Sequence, residues 1–150
     1  MRPNPFDFRT VALAKHAQHV DLIHFPIALF IAAVAFDLIA YWTKRRRFAD
    51  AAYDNLLLAA LATIPTLTRG VIAGQLQLEG GRLQGVLVLH FALGILSGLS
   101  IFLVWWLHFR ARKSTYEPTT LRLFIEGIAV LAIIATAHLG GFLSGVNLPS

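Results

Sequence analysis

The sequence predicts an all-α, polytopic membrane protein: an antiparallel bundle of four transmembrane helices with a short N-terminal interfacial helix. Three observations carry this. The chain is 57% hydrophobic and only 14% charged, where soluble domains average about 25% charged. Four apolar runs, at about 22–42, 56–78, 85–107 and 121–146, are each long enough to cross a hydrocarbon core of ~30 Å at ~1.5 Å per residue. These runs consume most of the 150 residues, so a single four-helix transmembrane domain over 1–150 is expected, with no room for a separate soluble catalytic domain.

The elements follow in order. Residues Met1 to Pro5 read as an irregular start, and Phe6 to His19 mixes aromatic, aliphatic and basic residues as an amphipathic helix lying on the membrane would. No cleaved signal peptide is expected, because no short apolar core with a small-residue cleavage site precedes Val20. The first run opens with HVDLIHFPIAL, which sets His24 at its mouth and Pro26 in its first turn, where a missing amide costs nothing. Ala28, Ala32 and Ala35 lie below His24 at helical spacing, a small-residue stripe suited to close helix contact. His24 is therefore expected to face inward.

The second run carries Pro65 within ATIPTLTRG, predicting a kink with Thr63, Thr66 and Thr68 at hand for freed carbonyls. Arg69 lies ~13 Å inside the far end of that run, on a face shared with Ala62, Thr66 and Ala73. It either snorkels or counters a buried anion, and the polar stripe favours the second. The third run places His90 near its start with Gly94, Ser97 and Gly98 on its face. The fourth places His138 near its end with Ala135, Gly141 and Gly145.

Eight Lys and Arg follow runs one and three (Lys44 to Arg47, Arg110, Arg112, Lys113, Arg122), against Arg2, Arg9, Lys15 and Arg82 at the other ends. The positive-inside rule puts the basic loops in the cytoplasm and both termini outside, as expected of a multi-pass protein of a bacterial inner membrane. Trp42, Trp105 and Trp106 fall at the basic end, where interfacial aromatics belong. The net charge of +5 lies in membrane-flanking loops, so no nucleic-acid partner is expected.

Alternating topology then brings His24, His90 and His138 to one level in the outer layer, with His19 just above. Missing side chains at Gly94 and Gly141 leave room for a flat macrocycle between helices otherwise ~8–10 Å apart. Without cysteine, imidazole is the available axial ligand, so haem b is the first expectation. Arg69 would face a propionate. A Cu, Zn or Fe ion held by His24, His90 and His138 is the alternative.

The expected function is thus a small b-type cytochrome passing electrons near the outer face, with a quinone or a periplasmic redox protein as partner. The alternative is a non-catalytic subunit of a larger membrane complex, or a homo-oligomer, docked through its GxxxG faces. Ser97, Ser100 and Ser144 lack the acidic partner of a hydrolase triad. Carboxylates are missing from the outer layer apart from Asp21 and Glu79, against a di-iron enzyme. Asp37 and Glu126, at the basic end, are assigned structural pairing with each other or with a nearby Arg or Lys. His108, also at that end, is expected to lie outside the cofactor site.

The run HFPIAL, preceded five residues earlier by His19, together with ATIPTLTRG, His90 and AHLGGFLSGV, resembles the bacterial membrane family catalogued as domain-of-unknown-function family 2231. The resemblance covers most of the chain. It implies a small four-helix membrane architecture and no particular activity. Val20 stands where such proteins commonly carry proline, and Arg69 where an apolar residue is expected.

Overall fold

The computed structural model describes residues 15–78, 85–112 and 117–143, with the side chains of 15–21, 73 and 75–78 outside that description. Four helices make up the described residues: α1 Lys15–Thr43, α2 Arg46–Leu78, α3 Val86–Ala111 and α4 Thr120–Leu143. Each contains a stretch long and apolar enough to cross a membrane. The four-helix membrane bundle is therefore as expected. Each helix packs against the next, and α4 returns to α1 through the sparsest of the four seams.

Two boundaries differ from the sequence expectation. The segment Lys15 to His19 continues directly into α1, so it is no separate interfacial helix; residues 6–14 of that expectation lie outside the described residues. In α2 the helix starts at Arg46, ten residues ahead of the apolar run. Ala49, Ala52 and Leu56 explain this extension, since they recur at helical spacing and are buried. Only Lys44 and Arg45 then join α1 to α2. Lys44 turns the chain in the left-handed region (φ 57°), and its amide caps Ala40 O at 2.8 Å, as a C-terminal residue of that conformation does.

Pro26 lies well inside α1 and not in its first turn. Its missing amide frees Leu22 O, four residues back. Thr66 Oγ1 of α2 approaches that carbonyl at 3.4 Å while donating more closely to Ala62 O, at 2.8 Å. The one proton of this hydroxyl goes to the nearer carbonyl, so Leu22 O receives at most a weak shared contact from the neighbouring helix. Thr63 and Thr68 bond their own carbonyls four residues back, Ala59 O and Ile64 O.

The core is a column of Phe30 and Ala33 (α1), Leu56, Ala59 and Ala60 (α2), Ile101 and Val104 (α3), and Ala129 and Ile133 (α4). Alanine dominates where helices approach closely, because dispersion between backbones holds a bundle that lipid does not squeeze together. Gly98 shows the limit: a Cβ there would lie 2.8 Å from Leu67 Cδ1 and 3.3 Å from Thr63 Cγ2.

Candidate functional site

On α1, α3 and α4 the core stripe runs on toward the basic-loop end and there becomes ionisable, while on α2 it stays apolar through Leu56, Ala52 and Ala49. On α1 the buried positions Phe30 and Ala33 are followed by Asp37 and Ala40. On α3, Ile101 and Val104 lead to His108. On α4, Ile133 and Ala129 lead back to Glu126 and Arg122. The period of 3.6 residues forces these side chains inward along with their apolar neighbours. Asp37 lies six residues before the end of α1 and Glu126 six residues after the start of α4, so antiparallel packing sets them at one level. Thr119 fixes the start of α4, its Oγ1 accepting from Arg122 N at 3.3 Å, the usual bond of an N-cap to the third residue beyond.

The four side chains form one buried cluster. Asp37 and Glu126 are 0% exposed, His108 3% and Arg122 8%. The Arg122 guanidinium grips Asp37 as a fork, Nε to Oδ2 at 3.0 Å and Nη2 to Oδ1 at 3.1 Å. His108 Nε2 lies 2.8 Å from Glu126 Oε1 and 3.4 Å from Asp37 Oδ2. With both carboxyls ionised, this nitrogen carries the ring proton, since a carboxylate oxygen only accepts. Glu126 Oε2 is buried with no hydrogen-bond partner. Formal charge, with His108 neutral, leaves a negative excess on the side of the cluster away from Arg122.

Asp37, His108 and Glu126 also offer one nitrogen and two oxygens within 4.8 Å of one another. Among the described residues they are the group of His and carboxylate side chains arranged to hold a metal ion. One imidazole and two carboxylates suit Zn²⁺, Fe²⁺ or Mn²⁺, whereas a Cu⁺ site prefers sulfur. The same groups tie helices together, because Asp37–Arg122 bridges the sparse α1–α4 seam. Tyr41 Oη and Thr120 Oγ1 (3.4 Å) and the exposed Lys44–Glu117 pair (3.5 Å) bridge it nearby.

The expected pairing with a nearby Arg or Lys is found for Asp37, which Arg122 grips; Glu126 has Arg122 at 3.9 Å, and its short partner is His108. What sequence reasoning misses is a role for His108, expected only to lie outside the cofactor site, and the convergence of three helices on it. A signal was present: aspartate, histidine and glutamate each continue an apolar stripe at helical spacing.

The opposite end holds the histidines singled out from sequence. His90 is half-buried at the α3–α4 seam, and its Nδ1 lies 3.2 Å from Thr136 O. A carbonyl only accepts, so Nδ1 bears the proton and, in the neutral ring, Nε2 keeps its lone pair. The ring fits because residue 140 is glycine: a Cβ there would lie 3.1 Å from His90 Cε1. Nearby, Ser97 Oγ and Thr136 Oγ1 bond at 2.9 Å, and a Cβ at Gly94 would lie an ordinary 3.9 Å from Thr136 Cγ2.

His24, Arg69 and His138 are exposed on the outside of the bundle, and Gly141 is half-buried. The inward stripe of α1 is Pro26, Phe30, Ala33, Asp37 and Ala40, two residues out of phase with His24. Ala28 and Ala35 face outward with His24, and Ala32 is half-buried, which corrects the expected inward stripe. His138 likewise sits about 200° around α4 from Thr136 and Gly140, at ~100° per residue. The structure therefore brings His90 onto α4 but turns His24 and His138 away from that seam. The side chain of His19 and residue Gly145 lie outside the described residues.

Comparison with curated proteins and with solved structures gives no match. A family model does match, over residues 15–146, a span that includes all four helices and both groups of ionisable side chains. On that match the chain belongs to the family described as predicted membrane protein (DUF2231).

Proposed function

We propose that this protein is a membrane-embedded metal protein whose ion, a divalent cation of the Zn, Fe or Mn class, is held between α1, α3 and α4 by Asp37, His108 and Glu126. One observation carries the reading: three donor atoms from three helices lie within 4.8 Å of one another in full burial, and the Glu126 carboxylate keeps one oxygen, Oε2, without a hydrogen-bond partner. Ionisable groups inside a membrane bundle are costly and mark function by default, and a cation is what the negative excess lacks. His108 would give up its Nε2 proton to bind, as ligands must.

Elemental analysis of protein purified in detergent tests this. About one ion per chain is expected, lost in His108→Gln and Glu126→Gln and kept in His90→Gln. Wild-type protein that carries no stoichiometric metal and takes up none on exposure to Zn²⁺, Fe²⁺ or Mn²⁺ overturns it.

A second reading, haem b at the opposite end in a small membrane cytochrome, is favoured by a specific feature of His90. A ligating histidine characteristically donates its other ring nitrogen to a carbonyl or carboxylate, and His90 Nδ1 meets Thr136 O in that manner. Within one chain His24 and His138 face away from His90, so this reading requires His138 or His24 of a second copy, or a rotated helix, as the other axial ligand, with Arg69 toward a propionate and a quinone or external redox protein as electron partner. An optical spectrum separates the two readings, since haem gives a Soret band and a Zn site is colourless. Alanine at His138 or His90 should then abolish the bis-histidine spectrum. Protein with neither haem nor metal would leave the role of a docking subunit in a larger complex. Under either reading the excess of Lys and Arg at the α1–α2 and α3–α4 connections favours a bacterial inner-membrane orientation with those loops in the cytoplasm; reporter fusions at Arg46 and Ser150 check it.

A further inference from the structure

Arg122 stands in an unusual relation to the proposed ion. Both oxygens of Asp37 are occupied by its guanidinium fork, at 3.0 and 3.1 Å, and its Nε lies 3.9 Å from Glu126 Oε1. The nitrogen-and-oxygen focus of His108, Glu126 and Asp37 is therefore flanked by a fixed positive charge. A divalent ion seated there would face this guanidinium across a few ångströms of low dielectric, where like charges repel strongly. Arginine stays protonated under any ordinary condition, so proton loss cannot relieve the conflict.

Resting on the metal reading, we infer that Arg122 is an internal counter-cation that competes with the metal for Asp37 and so sets the affinity of the site. Without metal, Arg122 neutralises Asp37 and holds the α1–α4 seam closed. On binding, Asp37 turns from guanidinium to ion. Arg122 has a place to go: it is the third residue after the Thr119 cap, in the first turn of α4 at the basic-loop end, from where a side chain of this length can swing out toward the interface.

The test is titration of purified full-length protein with Zn²⁺ alone, and with Co²⁺ alone read by its visible absorption. Arg122→Gln keeps length and polarity without charge, and should bind Zn²⁺ about tenfold or more tightly than wild type. Arg122→Lys keeps the charge but surrenders the fork, and should fall between the two. It also serves if the glutamine variant does not fold, tighter binding than wild type being the supporting result and equal or weaker binding the contrary one. Asp37→Asn should weaken binding in either background. If wild type binds Zn²⁺ while Arg122→Gln binds it no more tightly, the competition is refuted and the metal reading stands. If neither wild type nor variant binds metal, both are refuted.

Discussion

At the basic-loop end, Asp37, His108, Arg122 and Glu126 occupy positions that one or two turns deeper hold Ala33, Val104, Ala129 and Ile133; at the opposite end, His24, Arg69 and His138 occupy stripes that elsewhere hold outward-facing residues such as Ala28, Ile72 and Ile134. The same kinds of side chain have thus been given opposite directions within one bundle. Inward, they pair with one another through short charge-assisted bonds, as burial without water requires, and leave only Glu126 Oε2 among them without a hydrogen-bond partner. Outward and near a helix end, they have the headgroup region within reach. The lesson is that an ionisable residue in a membrane helix is interpreted by its stripe before its depth. Among the far-end histidines with described side chains, His90 alone shares the inward habit, and it does so against glycine.

The contrast can be broken most forcefully at Arg122. Replacing it by leucine leaves Asp37 buried without its partner and should cost about 3–5 kcal/mol of stability in metal-free protein. The double replacement Asp37→Leu with Arg122→Leu should recover most of that loss. Equilibrium unfolding in detergent measures both, and an additive double mutant would show that the pair is not coupled.

A smaller effect is expected at Gly140. Alanine there places a Cβ about 3.1 Å from the His90 ring, which must shift by a few tenths of an ångström and strain its bond to Thr136 O. A loss of about 1 kcal/mol is expected, with a changed His90 ring signal in NMR. An unperturbed signal would show that the ring has slack and that the glycine is incidental.

The smallest effects belong to the outward residues. Leucine at His24 or Arg69 should change unfolding by no more than about 0.5 kcal/mol. A large loss at Arg69, or for haem-loaded protein a lower cofactor retention, would place it with the inward group and restore its role as a counter-charge.

Much of this architecture is legible in the sequence. Run lengths alone predict four spans, the clustered Lys44 to Arg47 and Arg110 to Lys113 mark one end of the bundle, and the Trp residues and Pro65 fall where hydropathy places them. Where helices extend beyond the apolar runs, at Arg46 and through Lys15 to Asp21, they continue through alanine-rich or mixed residues with adequate helix propensity.

Orientation about the helix axes is what tertiary structure decided. In a soluble helix, polarity distinguishes the buried face from the solvated one; in lipid both faces are apolar, and small residues such as Ala28, Ala33 and Ala35 occur on either. Sequence therefore places His24, His90 and His138 at one depth, but not on one side. Only the packing of Phe30, Leu56, Val104 and Ile133 into a shared core rotates each helix, turning His24 and His138 outward and closing Asp37, His108, Arg122 and Glu126 upon one another.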